Sequence, residues 1–350
     1  SSPRPLLERV AESLKAGGGF PFLDNDDAIV AGYVQAGIPV EDAREYANSN
    51  CWETLIAGRS DQELVRGINW LLLLELALNR GVSAMYGKMG PDTGESARFD
   101  TFGDLMRAWE VQLDALLQAG IDYIGQEIEQ GTLEHSGHGA FHYNPLLSAL
   151  MRDCIEKERD VLKGGARYAI WTVMAEAFGN AVDAMAALKT LVYDERTVSL
   201  DEVQRAMAAN WEGHERLRQT ILNRVPRYAN DDDDADEIGR HMLRAFVDRT
   251  RAYAHRWAPR TIFVPSVGTF SWYQSIGYEV AASPDGRRAR EAVTSNMSPV
   301  NGADRSGLPA AIRSAVKMYG NELPGGAPVD LRASKSAFRG QAGTDRLVAL

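Results

Sequence analysis

The tripeptide Cys51-Trp52-Glu53 sets a thiol and a carboxylate two positions apart. In an extended backbone, side chains two apart project to the same side. Cys51 and Glu53 can then meet one substrate. Cysteine is also among the residue types most often buried as a small hydrophobe. Spacing alone therefore leaves an ordinary core position as the commoner reading of Cys51.

The residues before the tripeptide must position it. Val40 to Tyr46 reads as a helix, with Pro39 ahead of it and Glu41 and Asp42 in its first turn. Asn48, Ser49 and Asn50 then stop the helix. Residues 6 to 16 read as an earlier helix, broken by Gly17, Gly18 and Gly19. Beyond Glu53, Ala57 to Ser60 reads as a loop. Ser60 with Glu63 makes a capping box for a helix running through the leucine cluster to Asn79. A further helix is expected over Thr101 to Glu129, where Phe102, Leu105, Met106, Trp109 and Leu113 fall at helical spacing.

Residues 146 to 162 read as an amphipathic helix that buries Cys154, and Gly164 and Gly165 permit close backbone approach or positive φ. Helices are expected at Glu176 to Leu191, Leu200 to Asn210 (capped by Ser199) and His214 to Asn223. Thr261 to Tyr273 has strand chemistry. The Pro, Asp and Gly of SPDGRR, residues 283 to 288, make a turn, with its arginines read as solvent-facing at least as readily as substrate-binding.

Two clusters invite a metal reading, and neither carries one. His135, His138 and His142 lie among glycines with no cysteine alongside to complete a zinc set. Asp231 to Asp234 lacks the glycine and terminal glutamate of an EF-hand loop, and reads instead as the acidic start of a helix from Ala235. No metal is expected.

Composition narrows the function classes. A formal net charge of -10 argues against nucleic acid and anionic membranes as partners, leaving small molecules and proteins. Two cysteines in 350 residues make no disulfide framework and fit a reducing cytoplasm. Ser1 to Leu14 has no apolar core of signal-peptide length. The run Trp70 to Leu78 is too short to span a bilayer and contains Glu75, so it reads as a buried helix. Helices alternating with short strands favour an α/β fold. No repeat or low-complexity linker divides the chain, so residues 1 to 350 are expected to form one domain.

The stretches FPFLDNDDAI and AGIPVEDAREYANSNCWET resemble the glycyl radical enzymes of the pyruvate formate-lyase superfamily. Members read approximately FPSLxNDxxIxxxLxxGxxxEDARxYxxxGCVEP around their thiyl-forming cysteine. The likeness continues in family order through PLLSALMRDCIEKERDVLKGGARY, LVYDERTVSLDEVQRAMAANWEGHERLRQ, SPDGRRAREAV and SPVNGADRSGLPAAIRSAVK to LPGGAPVDL. Asn50 stands where the family usually has Gly, and Trp52 and Thr54 replace Val and Pro beside the glutamate.

The resemblance implies a helix-rich part of a ten-stranded α/β barrel with the cysteine loop entering its interior. It implies Cys51 as the thiyl residue and Glu53 as general base. Trp52 beside them and, on the strand before the PDGR block, Thr269 and Phe270 become weaker substrate-lining candidates. It also implies a small polar substrate, a homo-oligomer, anaerobic chemistry and no directly bound cofactor. The protein glycyl radical would be installed by an S-adenosylmethionine and iron-sulfur activating enzyme.

The radical loop resembles RVxGY in the family and is not found here. Ile29 to Val34, IVAGYV, lacks its arginine and precedes the cysteine. The chain is thus expected to be a central portion, with the glycine loop further along the gene or on a separate subunit, and inactive without it. Pyruvate formate-lyase uses two adjacent cysteines, so acyl transfer to coenzyme A is disfavoured here. Diol dehydratases carry an acid about a dozen positions past the glutamate, where Leu64, Val65 and Arg66 stand. The expectation is a lyase or dehydratase cleaving C-O or C-N, with a radical decarboxylase or a non-catalytic scaffold as alternatives.

Overall fold

The computed structural model describes residues 2–17, 20–49, 52–61, 64–95, 99–130, 143–318 and 322–350, with backbone alone at 64–66. Cys51, Glu63 and the three histidines of the 131–142 stretch lie outside the described residues.

The described strands are β1 (Tyr46–Asn48), β2 (Thr54–Ile56), β3 (Leu64–Asn69), β4 (Val82–Ser83), β5 (Gly87–Lys88), β6 (Ala169–Glu176) and β7 (Thr261–Val267). The helices of the first half are α1 (Arg4–Ala16), α2 (Asp26–Gln35), α3 (Val40–Ala43), α4 (Trp70–Leu78), α5 (Phe102–Gln130) and α6 (Pro145–Leu150). Those of the second half are α7 (Phe178–Leu188), α8 (Leu200–Ala208), α9 (Glu215–Arg224), α10 (Asp233–Ala254), α11 (Tyr273–Tyr278), α12 (Leu308–Met318) and α13 (Gly340–Ala349).

The fold is α/β. Its centre is a parallel sheet in the order β3-β6-β7, with Gly67 opposite Met174 and Met174 opposite Ser266. Every residue of β6 and β7 is buried, as expected of parallel strands covered on both faces. Helices α4, α5, α7 and α10 pack together beside it. There Trp70 meets Trp109 edge-on at 5.3 Å and Phe246 at 5.6 Å, and the Trp109 indole N–H donates to the Trp70 carbonyl at 3.2 Å. Each such buried aromatic contributes about 2–3 kcal/mol of transfer free energy.

Several expectations hold. Helix α5 covers the stretch where Leu105, Met106, Trp109 and Leu113 are buried. Ser199 caps α8 by accepting from the Glu202 N–H, and Asp232 caps α10 by accepting from Asp234 and Ala235. Both glycine arguments at the approach to β6 apply, one to each residue. Gly164 has φ +76°, and a Cβ on Gly165 would lie 2.0 Å from the Arg159 carbonyl oxygen.

Others are corrected. The helix expected from Ser60 begins only at Trp70, because residues 64–69 are strand β3. Ser60 is buried and its hydroxyl accepts from the Ile56 N–H. The working cap is Asn69, whose Oδ1 accepts from Leu71 and Leu72. The helix expected at 146 to 162 stops at Leu150, and Cys154 sits in a small satellite cluster with Val161 and Ala166. Glu176 ends β6 instead of starting a helix, and Ala177 makes the turn into α7 with φ +58°. Val40 starts a helix of one turn only, and Tyr46 already belongs to β1.

Candidate functional site

Strands β1 and β2 form an antiparallel hairpin, Asn48 opposite Thr54, and the Ser49 N–H donates to the Glu53 carbonyl at 2.7 Å. Trp52 and Glu53 therefore occupy the connecting loop and not a strand. Glu53 is 2% exposed and Trp52 half-buried. Within the loop the Trp52 N–H approaches Glu53 Oε2 at 3.4 Å.

The Trp52 ring stacks on Phe270 with centroids 5.2 Å apart and planes 22° off parallel. Phe270, half-buried, follows β7 with φ +49° and tilts against Trp272 at 5.1 Å. Glycines admit the indole. A Cβ on Gly268 would lie 2.3 Å from the Trp52 ring, and one on Gly326 would lie 2.7 Å from it. Trp52 and Phe270, distant in sequence, thus form one aromatic wall at the hairpin loop that carries Glu53.

Thr269 immediately precedes Phe270. It is fully buried, its N–H donates to Asn296 Oδ1 at 3.1 Å, and its hydroxyl accepts from the Asn296 N–H at 2.9 Å. These bonds tie the turn after β7 to residues 294–296 and set the angle at which Phe270 leaves the strand. Asn296 in turn donates through Nδ2 to Asp330 at 2.9 Å. Sequence reading missed Asn296, which no motif singles out.

A second buried carboxylate, Glu176, was also missed. It ends β6 on the same side as Thr172 and Met174, by the two-residue period of a strand. The Trp52 ring and the Met174 sulfur converge on the Cβ position of Gly268, and Gly325 presses on Thr172 and Ser266. That face of the sheet is therefore the one covered by Trp52 and residues 325–326. A Cβ on Gly67 would lie 2.1 Å from Glu176 Oε1, so Gly67 leaves the space the carboxylate occupies. The carboxyl ends of parallel strands are where α/β folds place their ligands. The signal was a glutamate closing an apolar strand-like run, AIWTVMAE, obscured by reading it as a helix start.

The acids of FPFLDNDDAI brace the hairpin from outside. Asp24 accepts from Asn48 Nδ2 at 2.9 Å, and Asp26 accepts from the Tyr46 hydroxyl. They line an open cleft of about 980 Å³ together with Arg44 and residues of α2 and β1, and neither Trp52 nor Glu53 is among its lining residues.

The arginines of SPDGRR separate. Arg287 is not solvent-facing: it is 6% exposed and donates to the carbonyls of Gly277, Val280, Ala281, Arg288 and Glu291 and to Ser283 Oγ. Arg288 is half-buried and pairs with Glu215 at 3.4 Å. Asp285 accepts from Asn180 Nδ2 at 2.6 Å, and Asn180 accepts from the Thr294 N–H at 2.7 Å. On the same side of α7, buried Asp183 pairs with Arg227 at 2.8 Å and accepts from the Tyr228 N–H at 2.9 Å. Burial pushes the Asp183 carboxyl up to about 6, against the pull of Arg227.

Among the described residues no group of three or more His, Cys, Asp or Glu side chains is arranged to hold a metal ion. Among them, too, no helix is long and apolar enough to cross a membrane.

Comparison with known proteins bears on the family and the fold. Trans-4-hydroxy-L-proline dehydratase of Clostridioides difficile is 31% identical over 352 residues, covering 100% of this chain and 43% of that protein. Isethionate sulfite-lyase of Bilophila wadsworthia is 32% identical over 362 residues, covering 99% of this chain and 41% of that one. The chain thus spans about two fifths of the length of these relatives. The crystal structure of the Clostridioides difficile hydroxyproline dehydratase with trans-4-hydroxy-L-proline bound superposes with a TM-score of 0.88. Identity there is 30%, covering 99% of this chain and 43% of that one. With the pyruvate formate lyase-like family model matching residues 1–277, the chain belongs to that family and its sheet is part of a glycyl radical enzyme barrel.

Proposed function

We propose that this chain supplies the cysteine-loop half of a glycyl radical lyase or dehydratase acting on a small polar substrate. Cys51 would be the hydrogen-transfer residue and Glu53 the base. The observation that carries the reading is the placement of Glu53, buried on a hairpin loop next in the chain to Trp52, whose ring stacks on Phe270. Family membership and the dehydratase and lyase among its relatives support it.

Once a protein radical has taken hydrogen from Cys51, the sulfur abstracts a hydrogen atom from a substrate carbon, forming S–H and leaving a carbon radical. Glu53 then takes the proton from a hydroxyl or ammonium beside that carbon, a step worth about 10²- to 10⁴-fold for a well-placed base. The neighbouring group departs with its bonding electrons, and Cys51 returns the hydrogen atom to the product radical. The aromatic wall holds the substrate carbon near the sulfur and excludes water from the open-shell intermediates. Thr269 and Asn296 position that wall, and Glu176 offers a second carboxylate on the same face of the sheet. The radical itself would be installed by a separate activating enzyme under anaerobic conditions.

The test is anaerobic co-expression of the full-length gene with its activating enzyme, followed by product analysis on trans-4-hydroxy-L-proline, isethionate and other small hydroxylated compounds. Cys51→Ala is expected to abolish turnover while leaving the glycyl radical signal. Turnover that survives this change would sink the proposal. A parent protein that acquires no radical at all would favour a scaffold.

A further inference from the structure

We propose that Tyr33 and Thr54 are positioning residues, forming with Pro324 a hydroxyl relay that fixes the loop carrying Glu53. Its catalytic meaning rests on the function proposed above; its geometry does not.

Tyr33, on α2, is fully buried. Burial raises its hydroxyl well above the ordinary tyrosine value, so it remains a proton donor. The hydroxyl lies 2.9 Å from the Thr54 carbonyl oxygen and 2.8 Å from Thr54 Oγ1. Thr54 Oγ1 donates its own proton to the Pro324 carbonyl at 2.5 Å. That proton being committed, Tyr33 is the donor to Thr54, its single proton facing both the carbonyl oxygen and Oγ1, and the bonds run one way, Tyr33 to Thr54 to Pro324.

Glu53 is held from both sides by the same distant segment. Thr54, its neighbour in the chain, bonds to Pro324, while Trp52, its other neighbour, has its ring against Gly326. Helix α2 closes the triangle: a Cβ on Gly32 would lie 2.8 Å from the Pro324 side chain, so glycine there brings α2 close enough for Tyr33 to reach Thr54. A strand of three residues has little pairing of its own to fix a loop, so side-chain bonds of this kind set its position. A proline at position 54, the letter usual after the glutamate in the resembling enzymes, would offer Tyr33 only its carbonyl and would have no hydroxyl for Pro324.

Thr54→Val and Tyr33→Phe each break the relay, and Thr54→Ser keeps it. All three are made in the full-length protein. Amide hydrogen exchange of residues 52–56 is expected to quicken about tenfold in Thr54→Val and Tyr33→Phe, the effect of one buried hydrogen bond, and to stay at the parent rate in Thr54→Ser. In activated enzyme kcat should fall about tenfold with KM near the parent value, and the serine variant should restore it. Exchange that is unmoved in folded Val and Phe variants, or moved equally in Ser, would overturn the relay. So would a kcat unchanged in all three. A parent with no turnover would fail the functional reading, and the exchange comparison would still decide the relay.

Discussion

Two of the buried polar regions among the described residues, one around Glu53 and one around Arg287, differ in what encloses the charge. Arg287 is surrounded by five main-chain carbonyls and a serine hydroxyl from residues 277–291. Nearby, Asp183 holds both Arg227 and a backbone N–H. Those charges are consumed by the loops they gather, which is how an interior tolerates them. Glu53 instead sits on a short loop whose Trp52 stacks on Phe270 and whose Thr54 is bonded to the Tyr33 hydroxyl and the Pro324 carbonyl. Blocks that look equally family-specific in sequence thus differ in structure: one gathers its own loops around a charge, and the other is the region for which chemistry is proposed.

Substitution should separate them. Glu53→Gln is nearly isosteric, and in activated full-length enzyme turnover is expected to fall about 10²- to 10⁴-fold while the urea midpoint stays at or above the parent's. An unchanged rate would remove Glu53 from the mechanism. Arg287→Met should do the reverse. Stranding the carbonyls it holds is expected to cost on the order of 3–5 kcal/mol of stability, read as a lowered urea midpoint in the isolated chain. A loss below about 1 kcal/mol, within the range of an exposed ion pair, would mean that Arg287 is not the clamp its surroundings indicate.

What the sequence disclosed follows the same division. Long periodic segments and local caps were legible: α5 from its apolar spacing, α8 from Ser199 and the α10 start from its aspartates. Strand β3 was not, because LVRGIN is short, lacks alternation and follows a serine spaced to imitate a helix cap. The expected helix through Cys154 failed because its apolar residues serve a satellite cluster of turns. The burial of Arg287 depends on carbonyls brought together only by folding, which no local pattern encodes. For the site, the motif pointed to residues 51 to 53, and the family resemblance pointed more weakly to Thr269 and Phe270. Tyr33, Asn296, Pro324 and Glu176 enter through tertiary contacts.

The smallest expected effect tests whether the scaffold cluster is as tightly enclosed as its geometry indicates. Asp183 titrates near 6 in the folded chain because burial disfavours its charge, above the ordinary unfolded value of about 3.9. Between those values the folded state binds a proton that the unfolded state does not. Stability from this group therefore rises as pH falls through 6 and levels off below about 4. The comparator is the double variant Asp183→Asn, Arg227→Met, which keeps an acceptor for the Tyr228 N–H and leaves no stranded charge. From pH 7 to pH 5 the parent should gain about 1 kcal/mol relative to that variant, measured by urea unfolding at each pH. A parent that instead loses stability relative to the variant over that interval would show that the Arg227 attraction outweighs burial at Asp183, and that the pair behaves as an ordinary salt bridge.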